Sequence, residues 1–315
     1  MDQGHKQTDK MLKTLERKLS KTYYNAGMDA QKKMRDYLNR FEDADKEMLE
    51  KLKKNLITKT EYGIWRNNHM LIGQRWTDLR NTLAEDFSNS NRIASQIINH
   101  HTVDVYALNR NYGAYEVSKG AGLNLSFTLY DHKTVERLMR RNPEIIPRAR
   151  IDIPKDLRWN RVKITSAVTR GILTGDSIPD IAQKLREVAN MNLSASIRNA
   201  RTYTTAAENG GRIDSYKEAE EMGIEMQQEW MATVDSRTRE SHIDLDGEVI
   251  DVGEVFSNGC RYPGDPLGDP EEIYNCRCTL VAVVKDFDRD LSGRFERLPV
   301  GETYDDWKSG KVRSK

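Results

Sequence analysis

No run of about 18 consecutive apolar residues occurs anywhere in the 315-residue chain, which excludes a helix built to span a bilayer. The opening segment Met1–Lys10 is polar and charged. No secretory signal is therefore expected, and the chain is placed in a cytoplasm or in a particle assembled there. Cysteine is scarce: Cys260, Cys276 and Cys278 are the only three, and all lie in one short stretch. So confined and odd a number argues against a secreted disulfide framework and leaves a local thiol or metal site open. Internal repeats and low-complexity tracts are also absent.

What is present is enough apolar residue, 37% of the chain, for two or three modest domains. The formal net charge of +1 hides an uneven distribution. Residues 1–60 carry 15 Lys/Arg against 10 Asp/Glu, and residues 131–170 carry 11 against 5. Residues 226–290 reverse the sign, with 6 against 15. Such a split suggests a basic helical part that faces nucleic acid or an acidic partner, joined to an acidic module that avoids DNA. The alternative is that these charges are solvated helix faces.

The expected fold class is α+β, mainly α. Over Thr8 to Asn55, Leu12, Leu15, Leu19, Tyr23, Ala26, Ala30, Met34, Leu38 and Phe41 recur every three or four positions. This pattern predicts an amphipathic helix, bent at Gly27. Helical patterning continues over 58–118, with a turn expected at Ser88–Asn91. Leu123, Leu125, Phe127 and Leu129 alternate with polar residues and predict a short strand over 123–129, with Ile151 and Ile153 as pairing candidates. Asp131 is placed as the cap of a helix ended by Asn142-Pro143. A helix over 157–173 should stop at Gly175, and Ser177 with Asp180 should open the next, which runs to about Ala189. A long helix over 194–222 should end at Gly223. Its small face (Ala200, Thr204, Ala207, Gly211) permits close approach of a neighbouring helix. The expected organisation is a helical region 1–150, a second helical region 151–223, a small α+β module 224–285 and a tail 286–315.

Turn signals crowd the module. Cys276 and Cys278, two apart before a strand-like run, share one face, as a common ligand or a common core position requires. With His242 and Cys260 they make up a candidate Cys3His zinc site. The competing reading has the thiols as small buried side chains and His242 hydrogen-bonded to Asp235 or to a backbone carbonyl. A further alternative is a metal-dependent nuclease or hydrolase built on Asp235, His242 and Asp244 or Asp246, although those carboxylates also suit plain turns. In the basic region, Arg148, Arg150, Lys155, Arg158, Arg161 and Lys163 could bind DNA phosphates, non-specifically and with salt sensitivity, or dock onto an acidic protein surface.

The ordered set Asp235-x-Arg237-Thr238, His242, Leu245-Asp246-Gly247, Phe256, Tyr262-Pro263-Gly264-Asp265-Pro266 and Asn275-Cys276-Arg277-Cys278 resembles the signature of the phage head morphogenesis family, the Mu F-like minor head proteins. The preceding stretch, with Arg201-Thr202, Ala207, Asn209 and Arg212, is similar to the one before that signature in the family, so the resemblance covers about residues 157–284. Some relatives carry a cysteine at the position of Arg239, or a histidine where Ile273 and Tyr274 stand. The resemblance implies a structural minor capsid protein of a tailed bacteriophage, with no catalytic residues and no cofactor beyond the candidate zinc. It would be assembled in the bacterial host cytoplasm, associated with the portal protein at the portal vertex and retained inside the head with viral DNA. It would act in capsid assembly, DNA packaging or ejection, with major capsid or scaffold proteins as further partners and no membrane. Some relatives add a toxin-like enzymatic domain at the C-terminus; the roughly 30 residues after Val284 are too few for one, so no enzyme is expected here.

Overall fold

The computed structural model describes residues 2–287 and 294–313. Helices α1 (Gln3–Leu38), α2 (Glu42–Lys53), α3 (Lys59–Met70), α4 (Gln74–Ala121), α5 (His132–Arg141), α6 (Ile153–Thr174) and α7 (Ile178–Glu221) precede a mixed region. That region consists of β1 (Ile224–Met231), α8 (Glu240–Asp244), β2 (Val249–Asp251), α9 (Pro270–Ile273), β3 (Thr279–Phe287) and α10 (Tyr304–Arg313). The described residues are mainly α with a small antiparallel sheet, as the patterning of the sequence implies.

Local chemistry accounts for the helix ends. The Asp131 side chain accepts from the Thr134 amide at 2.7 Å and opens α5. Gly175 closes α6 in the left-handed region at φ +78°, and Gly223 follows α7 at φ +90°, conformations that cost a residue with a Cβ about 1 kcal/mol or more. Ser177 Oγ accepts from the Asp180 amide at 3.3 Å, as the capping pattern predicts.

The chain divides into two compact units, 1–15 with 97–149 and 198–315, and 16–96 with 150–197. Helices α1, α4 and α7 each contribute to both; the chain also passes from one unit to the other between Ala149 and Arg150, whereas residue 223 lies inside the first unit. The second unit packs Met34, Leu38, Leu83 and Phe87 against Ile164, Val168, Ile181 and Leu185. A buried polar ladder runs beside that core. Tyr23 donates to Asn91 at 2.7 Å and lies 2.6 Å from Ser196, while Asn91 donates to Asn192 at 2.9 Å and Asn192 to Asn160 at 3.0 Å.

Several local expectations are corrected. Ser88–Asn91 is not a turn but the interior of α4. Ser88, Ser90 and Asn91 are buried while Asn89 is exposed, and Asn91 spends its side chain laterally on Asp156 and Asn192 instead of competing with its own backbone. The separate helices expected over 177–189 and 194–222 are one helix, α7, and α1 runs unbroken through Gly27. Residues 123–129 form no strand: Leu123, Leu125 and Phe127 are buried alternately, but the segment makes only an isolated bridge between Leu123 and Arg297. Ile153 starts α6 and pairs with nothing in a sheet. The expected tail is not peripheral either, since Tyr304 and Trp307 of α10 are buried against Tyr112 and Tyr115. Residues 288–293, 314 and 315 of that tail lie outside the described residues.

In the first unit the small face of α7 does what its composition allows. A Cβ at Gly211 would stand 2.6 Å from the Tyr106 carbonyl oxygen of α4, so glycine is required for this close approach.

Candidate functional site

The motif module is a three-stranded sheet in the order β2-β1-β3, with Trp230 of β1 opposite Leu280 of β3. Much of the signature is spent on holding it together. Asp246 Oδ1 accepts from the Ala232 amide at 2.8 Å, and the Gly247 amide donates to the Trp230 carbonyl at 2.8 Å with Gly247 at φ +84°. Leu245 is buried between these ties. Asp235 takes a fork of two hydrogen bonds from Arg277 at 2.5 and 2.7 Å and another from the Arg237 amide at 2.8 Å. The Arg277 guanidinium, first among these, holds the Asp235 carboxyl far below the ordinary carboxylate range. Thr238 Oγ1 donates to the Thr233 carbonyl. Asp265, buried, accepts from Arg261 Nε at 2.8 Å and Nη2 at 2.6 Å and from the Leu267 amide at 3.0 Å.

The same elements fasten the module to α7. Asn209 Nδ2 donates to the carbonyls of Pro263 at 3.0 Å and Cys278 at 3.2 Å, and its Oδ1 accepts from the Leu280 amide at 2.9 Å. Thr205 Oγ1 donates to the Cys276 carbonyl at 2.6 Å. Gly264, at φ +78°, lies where a Cβ would stand 2.9 Å from the Ala206 nitrogen. Arg212, fully buried, donates to the Leu280 carbonyl at 2.7 Å, Asp2 at 2.9 Å and Glu116 at 3.2 Å. Burial, only partly offset by Arg212, raises Glu116 to about 7.

Among the predicted metal ligands, the structure brings three together and leaves one out. The ligand atoms of His242, Cys276 and Cys278 all lie within 4.8 Å of one another. His242 Nδ1 is 3.7 Å from Cys276 Sγ and 3.4 Å from Cys278 Sγ. Cys260 is not in this group; it is buried near Gly268 and Ile273, where burial pushes its thiol up to about 11. The expectation that His242 bonds Asp235 or a carbonyl is also corrected, because its Nε2 lies 2.9 Å from Glu272 Oε2. Glu272 carried no motif signal. Its only hint in the sequence is an acidic pair beginning a short helix after Pro270. The Cys276 hydrogen bond, ahead of the nearby imidazole, draws the Cys278 thiol down, and Cys276 is pushed well up. Two carboxylates of the nuclease alternative are engaged elsewhere, Asp235 with Arg277 and Asp246 with the Ala232 amide, and Asp244 is exposed. Among the described residues, the metal-capable group around His242 contains no Asp or Glu.

The basic candidates separate. Arg148 falls in the first unit and Arg150, Lys155, Arg158, Arg161 and Lys163 in the second. Arg158 and Arg161 line an open groove together with Arg80, Thr165 and Ser166. Lys163 lies over the Trp159 ring at 5.5 Å.

This is a small α+β module fastened to a long helix by buried hydrogen bonds from Asn209, Thr205 and Arg212, with a Cys-x-Cys turn facing a histidine. Residues 162–281 match the family described as Phage Mu protein F like protein. Over that segment the chain is similar to the family, and the similarity points to a bacteriophage head protein. It is 28% identical over 251 residues to the minor head protein GP7 of Bacillus phage SPP1, covering 75% of this chain and 77% of that protein. It is 30% identical over 207 residues to the NAD(+)-arginine ADP-ribosyltransferase EFV of Enterococcus faecalis, covering 63% of this chain. It is also 31% identical over 128 residues to the uncharacterized protein YqbB of Bacillus subtilis, covering 38% of this chain. The chain spans only 42% of the Enterococcus protein and 41% of the B. subtilis protein. No solved structure matches it.

Proposed function

We propose that the protein is a structural minor head protein that associates with the portal vertex of the procapsid and remains in the head with the packaged DNA. The observation that carries this reading is the similarity to the SPP1 minor head protein across three quarters of both chains, well beyond the matched region 162–281. The chemistry of the module supports it. Its polar motif residues are consumed by backbone and ion-pair ties, as in a part evolved to keep its shape. The ADP-ribosyltransferase name belongs to a relative of which less than half is aligned, and no transferase role is carried to this chain.

The groove of Arg80, Arg158 and Arg161 with its Thr and Ser hydroxyls suits phosphate oxygens, which guanidinium groups bind through paired hydrogen bonds. It is assigned to non-specific contact with DNA. The experiment is co-expression with the cognate portal protein, followed by size-exclusion chromatography with light scattering. A stoichiometric complex supports the reading. Separate elution across low and moderate salt, together with metal-dependent turnover of nucleic acid, overturns it.

A further inference from the structure

The geometry points to a zinc site formed by His242 Nδ1, Cys276 Sγ and Cys278 Sγ that clamps the entrance of β3 to α8. The three side chains are buried and come from segments 34 and 36 residues apart. Their spacing is that of a metal's ligands. With Zn–S of about 2.3 Å and Zn–N of about 2.05 Å at a tetrahedral angle, sulfur and nitrogen should stand about 3.6 Å apart. The observed separations are 3.4 and 3.7 Å.

The surroundings of the imidazole fit the same assignment. Glu272 Oε2 lies 2.9 Å from His242 Nε2 and also accepts from Asn258 at 3.1 Å. A carboxylate in that place puts the ring proton on Nε2 and leaves the Nδ1 lone pair toward the sulfurs. This carboxylate–histidine arrangement commonly stands behind a ligating histidine and fixes both its tautomer and its orientation. Trp230 meets the ring edge-on, with centroids 5.4 Å apart, so the imidazole is held on a second side. Two sulfurs and one imidazole nitrogen select a thiophilic divalent ion over magnesium or calcium, which take oxygen. A small cleft lined by the three ligand residues with Thr233, Thr238, Asn275 and the arginines Arg237, Arg239 and Arg277 would admit a water molecule at the fourth coordination position, and the two thiolates leave the zinc site neutral beside those cations. Glu272 is a positioning residue in this arrangement.

The test uses the full-length reduced protein, purified without chelator or a histidine tag. Elemental analysis should find about one zinc per chain. Removing it should lower the melting temperature, and zinc should restore that temperature where magnesium does not. Cobalt added to the metal-depleted protein should give a thiolate-to-cobalt charge-transfer band and the strong visible bands of a tetrahedral site, a readout independent of any variant. Cys276→Ser, Cys278→Ser and His242→Ala should each abolish stoichiometric zinc, while Cys260→Ser retains it. Glu272→Gln should fold and weaken zinc binding by about 10–100-fold. Only background zinc together with no cobalt bands in folded protein would overturn the assignment. So would native protein whose Cys276 and Cys278 are joined to each other, or full zinc retention in Cys278→Ser.

Discussion

Replacing Asn209 with leucine tests how the motif module is held. The side chains are similar in size, so the change removes hydrogen bonds with little change in volume. The carbonyls of Pro263 and Cys278 and the amide of Leu280 then lose a buried contact, as do the Thr279 hydroxyl, which keeps Glu208, and the Thr205 carbonyl within α7. A buried polar group left unpaired costs about 1–3 kcal/mol. Allowing for some relaxation, Asn209→Leu should cost about 4 kcal/mol, a large part of the roughly 5–15 kcal/mol that holds a typical domain. The loss should be local, because Asn209 serves only α7 and the two segments on it. Hydrogen–deuterium exchange read by mass spectrometry resolves this directly. Peptides from 224–285 should lose about a thousandfold in protection, while peptides from 30–85 keep theirs. Unchanged protection in the module would refute the argument that Asn209 is its anchor.

Three further outcomes follow from the same structure. Gly264→Ala places a Cβ 2.9 Å from the Ala206 nitrogen at a residue with φ +78°, so it should destabilise by at least about 2 kcal/mol in urea unfolding; a neutral effect would show that the loop does not rest on α7. Glu116, raised from 4.5 to about 7, binds its proton more tightly folded than unfolded. Its contribution is therefore fully present below pH 4.5 and is lost as pH rises through 7, by up to about 3 kcal/mol. His5, also raised, adds a loss in the same direction, whereas Asp2, lowered, stabilises at pH above its unfolded value. Glu116→Gln should accordingly flatten the decline in melting temperature from pH 5 to 8, and an identical decline in the variant would refute the assignment. Arg158→Ala combined with Arg161→Ala should lower the salt dependence of DNA binding by about two counterions without changing the melting temperature; an unchanged slope would remove the groove from the DNA contact.

The parts of this fold legible in the sequence are those governed by neighbours in the chain. Asp131, Gly175, Ser177 and Gly223 mark helix ends through contacts within a few residues, and period two alone placed Cys276 and Cys278 on one face. What escaped depends on distant partners. Ser88, Ser90 and Asn91 look like a turn because such side chains usually satisfy their own backbone, but here Asn91 is drawn sideways to Asp156 and Asn192. Leu123, Leu125 and Phe127 alternate as a strand does, and their burial follows that period, yet among the described residues no second strand lies beside them to complete a ladder. In the site, His242 and the two cysteines were readable as a set, whereas Glu272, 30 residues from the histidine it orients, had no local signal. Trp307 and Tyr304 were hidden for a related reason, since the aromatic cluster that buries them is supplied by α4.

The proposed residence in the phage head at the portal vertex can be checked by purifying procapsids assembled with and without the portal protein and quantifying this chain in each by mass spectrometry. A few copies per particle are expected when the portal is present and none above background when it is absent. Equal incorporation into portal-less particles, or absence from both, would contradict it.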